Sequence, residues 1–205
     1  ILPTFIVKNL AALEPNKNVV CNMSKMKQHG LENYADMESN QVDLFFKNFI
    51  KKIRNSLKPV GIVPVSGSYK DKVRFFLKNS SNDSIYGLFR TEQLKNSMVT
   101  TIVSDDLAIL LNILKHGDIH VVNEVLLSKF DGGVSKKGMI GYAKKYNKSL
   151  SGIVFPAYPV TKWCFKNLGK KIFLQNIDYF ILLNIYVEFA VILDLLRLSI
   201  HKIKK

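Results

Sequence analysis

The sequence predicts an α/β domain followed by a mostly helical, basic and apolar C-terminal segment. Three observations carry this. Short apolar runs rich in Val and Ile alternate with stretches of helical period through the first 130 residues. Residues 85–133 place a strand, a helix and further strand-like runs in that order, the pattern of an α/β layer. Beyond Gly133 the strand signals give way to Lys, aromatic residues and one long apolar tract. The expected division is residues 1–134 and 135–205.

Taken in order, Pro3 to Leu13 reads as a helix, with Phe5, Leu10 and Leu13 at helical spacing and Pro3 suited to a first turn. Glu14 to Asn18 is a turn, and Val19–Met23 a strand. Residues 25–37 lack a period and read as loop. Residues 39–57 form the clearest amphipathic pattern, with Phe45, Phe49, Ile53 and Leu57 on one stripe and lysines largely off it, ending at Pro59. Residues 60–65 suggest a loop or short edge strand, 73–77 a short helix, 84–89 a strand and 91–98 another short helix. Asp105 or Asp106 opens the next helix, since acids are favoured at a helix N-terminus. Leu107, Leu110, Leu111 and Leu114 give it a buried face, and Gly117 suits its C′ position. Ile119–Val122 and Val125–Phe130 read as two strands.

The chain has 205 residues, 47% hydrophobic, enough for one substantial domain and too apolar for bulk disorder. Its formal charge is +14, with 26 Lys and only 4 Arg. Such a balance suits a solvated Lys-rich surface first, then an anionic membrane surface or phosphate-bearing ligand. It suits nucleic acid least, because Arg supplies the bidentate contacts that read bases. Two distant cysteines, Cys21 and Cys164, make neither a zinc motif nor a disulfide framework and fit a reducing compartment.

Between Gly132 and Ile177 lie nine Lys and no acid, interleaved with Tyr142, Tyr146, Tyr158 and Trp163. Pro156 and Pro159 interrupt any helix there. Residues 172–200 are long and apolar enough for a span, yet Glu188 would sit deep in lipid. Helices on a protein core, an interfacial hairpin and a true span all remain open.

The acid pair Asp105–Asp106 is the chief candidate for chemistry: a carboxylate at a helix N-terminus, at the end of a loop, can serve as a general base. The surrounding residues extend the reading. Tyr86-Gly87-Leu88-Phe89-Arg90-Thr91 resembles the strand and turn after the acceptor region in family 2 glycosyltransferases of the GT-A fold. Ser104-Asp105-Asp106, eleven steps before Gly117, resembles that family's Glu-Asp or Ser-Asp motif, with Asp106 on the catalytic acid. Val122 to Leu126 looks like the following strand, and Asp131-Gly132-Gly133-Val134-Ser135 like the loop that closes over the donor site, although no His or Arg precedes it as in many relatives.

The resemblance covers about residues 1–135 and implies a partial GT-A, Rossmann-like glycosyltransferase domain. It implies transfer of a sugar, with inversion, from a nucleotide-diphosphate donor to a glycan, lipid-linked or other acceptor hydroxyl. Asp106 would be the base, with Asp105 beside it as a second catalytic acid, and Arg90, Gly87, Gly132 and Gly133 would bind substrate. It also implies Mg²⁺ or Mn²⁺ in the whole enzyme, held by an Asp-x-Asp motif. This chain has no Asp-x-Asp, and it opens at Ile1 in mid-helix. The expectation is therefore a fragment, inactive alone, whose nucleotide-binding half precedes it. The expected setting is the cytoplasm, at the inner face of the cell membrane if the basic segment binds it. The alternative is a non-catalytic basic α/β binding module for an anionic membrane surface or nucleic acid. His116 and His120 have no partner at ligand spacing and read as structural.

Overall fold

A computed structural model describes residues 1–29, 61–79, 82–99, 102–130, 138–146 and 149–203. The expected amphipathic helix at 39–57 and the Asp131-Gly132-Gly133 loop lie outside the described residues, as does the expected domain boundary near 134.

The fold is mixed α/β, built on a small three-stranded sheet. Helix α1 (Thr4–Leu13) leads to strand β1 (Val19–His29). Helix α2 (Tyr69–Asn79), a 3₁₀ turn (Asp83–Tyr86), the two-residue strand β2 (Leu88–Phe89) and the short helix α3 (Thr91–Lys95) follow. Helix α4 (Asp105–Ile113) precedes strand β3 (Asp118–Phe130). The helices α5 (Gly138–Tyr146), α6 (Leu150–Val154), α7 (Tyr158–Asn167), α8 (Lys170–Leu174) and α9 (Ile177–Ile203) complete the chain.

The sheet order is β2-β1-β3, with β2 antiparallel and β3 parallel to the central β1. A strand covered on both faces reads as a continuous apolar run, and Val20, Cys21 and Met23 are buried accordingly. A parallel pair needs a long crossover, here supplied by the chain from β1 to β3.

Several expectations are corrected. Lys25 to His29 belong to β1 instead of a loop, because pairing with β3 continues through Met26↔Leu127 to His29↔Phe130. Residues 84–89 are not one strand: Ile85 and Gly87 donate to Asn82 and Ser84 carbonyls in the 3₁₀ turn, which leaves two residues for β2. The two strands expected at 119–122 and 125–130 are one. Asn123-Glu124, read as a break, is taken up by a register shift from Ser24↔Val122 to Lys25↔Val125, the signature of a β-bulge. Glu124 there pairs with Lys8 of α1.

Gly117 is not the C′ residue expected: α4 is capped at Leu114, three residues earlier, and Gly117 is not in a left-handed conformation. Its requirement is steric: a Cβ would fall 2.2 Å from the Asn18 carbonyl oxygen, against which the turn is pressed. The neighbouring Asp118 N–H donates to that same carbonyl at 2.8 Å. Lys72 of α2, nearly buried, closes the turn from the other side by donating to the Gly117 carbonyl (2.7 Å) and the Asp118 carboxylate (2.9 Å). A buried cation is retained only when its hydrogen bonds are made in this way.

The main hydrophobic core joins sheet and C-terminal helices. Cys21 and Ile119 of the sheet, Leu110 of α4, Cys164 of α7, Phe173 of α8 and Phe180 of α9 belong to one cluster. Residues on both sides of position 134 thus share a core. A smaller cluster of Phe5, Met23, Leu126 and Leu127 seats α1 on β1 and β3. Both cysteines are free and buried. Burial pushes their thiols up, Cys164 to about 12, which makes them unreactive.

Candidate functional site

Asp105 and Asp106 occupy the first turn of α4, as the sequence predicts. The apolar run that follows buries the rest of the helix, so its N-terminus is fixed by packing of Leu107, Leu110 and Leu111. Ser104 enters the helix with φ 62° and ψ 38°, the one described non-glycine residue with positive φ. Such a conformation is uncommon for a residue with a Cβ and persists only where the surroundings hold it. It turns the chain sharply at the point where the two acids are presented.

Both carboxyls are half-buried. The Asp106 N–H donates to Asp105 Oδ1 at 3.0 Å. Burial raises the Asp105 carboxyl above the ordinary range. The Asp106 carboxyl adds to this through a side-chain hydrogen bond and like-charge repulsion, while backbone N–H groups oppose it.

A third residue lies beside the two acids, and no local pattern in the sequence marks it. Tyr142 of α5 lies beside the Ser104 backbone, which favours its ionised form, and close enough to Asp106 and Asp105 to feel their charge. Burial, more than those charges, pushes its phenol up to about 12, so it is a neutral hydroxyl at physiological pH. Its ring leans on Tyr146, centroids 4.8 Å apart. The segment that brings it here is held by α9. Asp194 of α9 accepts from the Ile140 N–H at 3.1 Å, at the N-terminus of α5. Two acids and a phenol therefore meet around a constrained turn, an arrangement able to hold, donate or accept a proton.

The other expected site residues fall elsewhere. Arg90 has three hydrogen bonds to backbone carbonyls: Nε to Val19 (2.8 Å), and Nη2 to Leu13 (2.7 Å) and Asn16 (3.0 Å). These bind the end of α1 and the start of β1, so the guanidinium acts there as a staple for the α1–β1 turn. Gly87 lies against β1, where a Cβ would meet Cys21 Sγ at 2.6 Å and the Asn22 carbonyl at 3.0 Å; close packing accounts for it. Gly132 and Gly133 lie outside the described residues. His120 Nδ1 shares a hydrogen bond of 2.7 Å with Asn22 Oδ1, and Asn22 in turn donates to the Asn9 carbonyl, a polar relay that positions α1.

A surface hollow of about 390 Å³ is lined by Pro15, Asn16, Lys17, Asn18 and Val19. It adjoins Gly117, at the opposite end of α4 from the acid pair, and brings no titratable carboxylate, His or Cys into its wall. It is a turn in the backbone more than a reaction site.

No group of three or more His, Cys, Asp or Glu among the described residues is placed to hold a metal ion. The described residues therefore do not fit the Mg²⁺ or Mn²⁺ implied by the resemblance, and no step here runs through one. The chain matches no known family model, and it has no significant match among curated proteins or solved structures.

Proposed function

We propose that this chain is the acceptor-side part of a GT-A, family 2-like glycosyltransferase that moves a sugar from a nucleotide-diphosphate donor to an acceptor hydroxyl. The observation that carries the reading is the half-buried Asp105–Asp106 pair at the N-terminus of α4. It follows the Tyr-Gly-Leu-Phe-Arg segment that holds the two-residue strand β2 and precedes β3, which is parallel to β1.

In this reading the Asp106 carboxylate takes the proton of the attacking hydroxyl. Asp105, whose carboxyl is raised by burial and by its neighbour, holds its proton more readily and hydrogen-bonds the same group. Tyr142 sits beside the Ser104 turn as a neutral phenol next to the two acids. A base on the first turn of a rigid, buried helix is held in line with its target, which is where much of the gain in such a reaction arises. Stabilising the departing diphosphate falls to residues other than these.

The test is Asp106→Asn in a protein that carries the donor half as well. Sugar transfer should fall by roughly 10²–10⁴-fold, with thermal stability retained. Turnover within threefold of the parent refutes the role of Asp106. The competing reading, a basic module that only binds anions, predicts that this substitution leaves binding intact and that no transfer is detected in any form of the protein.

A further inference from the structure

The exposed face of α9, with the basic aromatic face of α7 beside it, is the longest apolar helix surface among the described residues. Residues Ile177–Leu196 are long and apolar enough to cross a membrane, with mean hydropathy 2.0, yet only 22% of that window is buried. The helix is seated on the domain along one side: Phe180, Val187 and Val191 enter the core. Asp178 meets Arg74 (2.8 Å), Asn184 donates to Thr161 Oγ1 (2.7 Å), and Asp194 caps α5. A helix tied down along one side cannot be surrounded by lipid. On its other side Ile181, Leu182, Ile185, Ile192 and Leu195 are each more than half exposed, at spacings that place them on one broad face.

Helix α7 continues this surface. Tyr158, Lys162, Phe165 and Lys166, at i, i+4, i+7 and i+8, are exposed, while Val160, Cys164 and Leu168 are buried opposite. Lys162 Nζ lies 5.9 Å from the Tyr158 ring centroid. Phe165 packs edge-on against Phe173 (5.3 Å), which stacks on Phe180 of α9 (4.5 Å). That aromatic ladder runs inward from exposed Phe165 to the buried side of α9 and fixes α7 and α9 against each other. From Gly138 to Ile177 there is no acid, and Lys144, Lys145, Lys162, Lys166, Lys170 and Lys171 are all exposed.

We infer that this surface docks the protein in the plane of an anionic lipid bilayer. The apolar side chains of α9 enter the headgroup–acyl boundary and the lysines of α7 and α8 meet lipid phosphates. Charge complementarity selects the occupant: α7 and α8 present lysine without acid, although α9 itself carries Asp178, paired with Arg74, and Glu188, so a second copy would set lysine against lysine while anionic headgroups satisfy both parts. The inference is independent of the chemistry proposed for the acid pair and is read without an activity assay.

The experiment is flotation of the chain with vesicles of phosphatidylcholine alone and with 30% phosphatidylglycerol. The parent should bind the anionic vesicles and be largely free of the neutral ones. Each lysine near an anionic surface contributes roughly 1 kcal/mol, about a fivefold change in binding. Lys162→Gln with Lys166→Gln should therefore weaken binding by about 25-fold. Lys17→Gln with Lys27→Gln, an equal charge change at exposed positions outside this surface, should leave it within threefold. Ile181→Ser with Ile185→Ser should weaken binding at least tenfold while the circular dichroism and Tm stay those of the parent. Three results each overturn the inference. One is equal loss from the two lysine pairs. Another is equal binding to neutral and anionic vesicles. The third is a stable dimer in light scattering that Ile181→Ser with Ile185→Ser dissolves without changing vesicle binding.

Discussion

Asp194 is the residue through which α9 holds the candidate site together, and its loss has a calculable effect. Its Oδ2 accepts the Ile140 N–H at 3.1 Å, in the first turn of α5. Gly138 opens that turn with φ +76°, and a Cβ there would lie 2.5 Å from the same oxygen. Asp194→Ala removes a capping acceptor, about 1 kcal/mol, and a favourable carboxylate–helix dipole interaction, about 0.5 kcal/mol. For a chain of this size the sum of about 1.5 kcal/mol lowers Tm by roughly 3–6 °C. Asp194→Asn keeps the acceptor and loses the charge, so it should cost about a third as much. Gly138→Ala should cost more than either, through both the positive φ and the clash with the carboxylate.

The two sites are coupled, because removing the carboxylate removes the clash. Gly138→Ala should therefore be milder by about 1 kcal/mol or more in the Asp194→Ala background. Thermal and urea denaturation of the four variants give the cycle, and hydrogen exchange at the Ile140 amide reports the cap directly. Strict additivity, together with unchanged exchange at Ile140, would refute the clasp and with it the route by which Tyr142 is brought to the acids.

Two further outcomes follow from the site and its frame. Arg90→Lys cannot reproduce a fork that reaches the carbonyls of Val19, Leu13 and Asn16. It should cost roughly 1–3 kcal/mol in urea denaturation, with little salt dependence because the acceptors are neutral. Asp105 has a folded-state pKa above its unfolded value, chiefly from burial, so the folded form binds its proton more tightly. Its contribution to stability is then greatest in acid and is lost as pH rises from the ordinary carboxylate range through the raised value. Asp105→Asn keeps the oxygen that accepts the Asp106 N–H and removes the charge. At neutral pH it should be more stable than the parent by less than about 1 kcal/mol, solvent screening limiting the gain. That gain should vanish near pH 3, and a variant less stable at pH 7 than the parent contradicts the assignment.

The sequence shows the parts of this fold that local patterns encode. Helix α4 was legible from its leucine spacing, its two N-terminal acids and the glycine behind it, because capping and burial leave marks within one helix. Strand β1 was legible only as far as Met23. Beyond it Lys25 and Lys27 flank Met26, and what keeps that stretch extended is the parallel partner about a hundred residues on. The bulge at Asn123-Glu124 looked like a break for a similar reason: a polar pair inside a strand is tolerated where the register slips. Arg90 looks like a ligand-binding cation in the sequence because its partners are backbone carbonyls, which no residue type advertises. Tyr142 escaped notice because its role is created by tertiary contact alone; in the sequence it is one more aromatic residue among lysines.

Helix α9 shows how the same residues change meaning once the packing is seen. In the sequence, Asp178, Asn184, Glu188 and Asp194 weigh against a bilayer span as polar groups in an apolar tract. In the structure three of them are ties, to Arg74, Thr161 and the end of α5. An apolar stripe by itself leaves a long helix free to slide or rotate on its bed, since one leucine fills a gap much as another does. Directional bonds near positions 178, 184 and 194 fix its register and decide which face is left outward. Glu188 is different: its Oε1 is buried with no hydrogen-bond partner among the described residues, and desolvation raises its carboxyl above the ordinary range. A carboxyl that holds its proton more readily is less costly beside apolar surroundings than a fixed charge. Of the four, Glu188 alone fixes nothing, and the outward apolar face of α9 therefore owes its orientation to the other three.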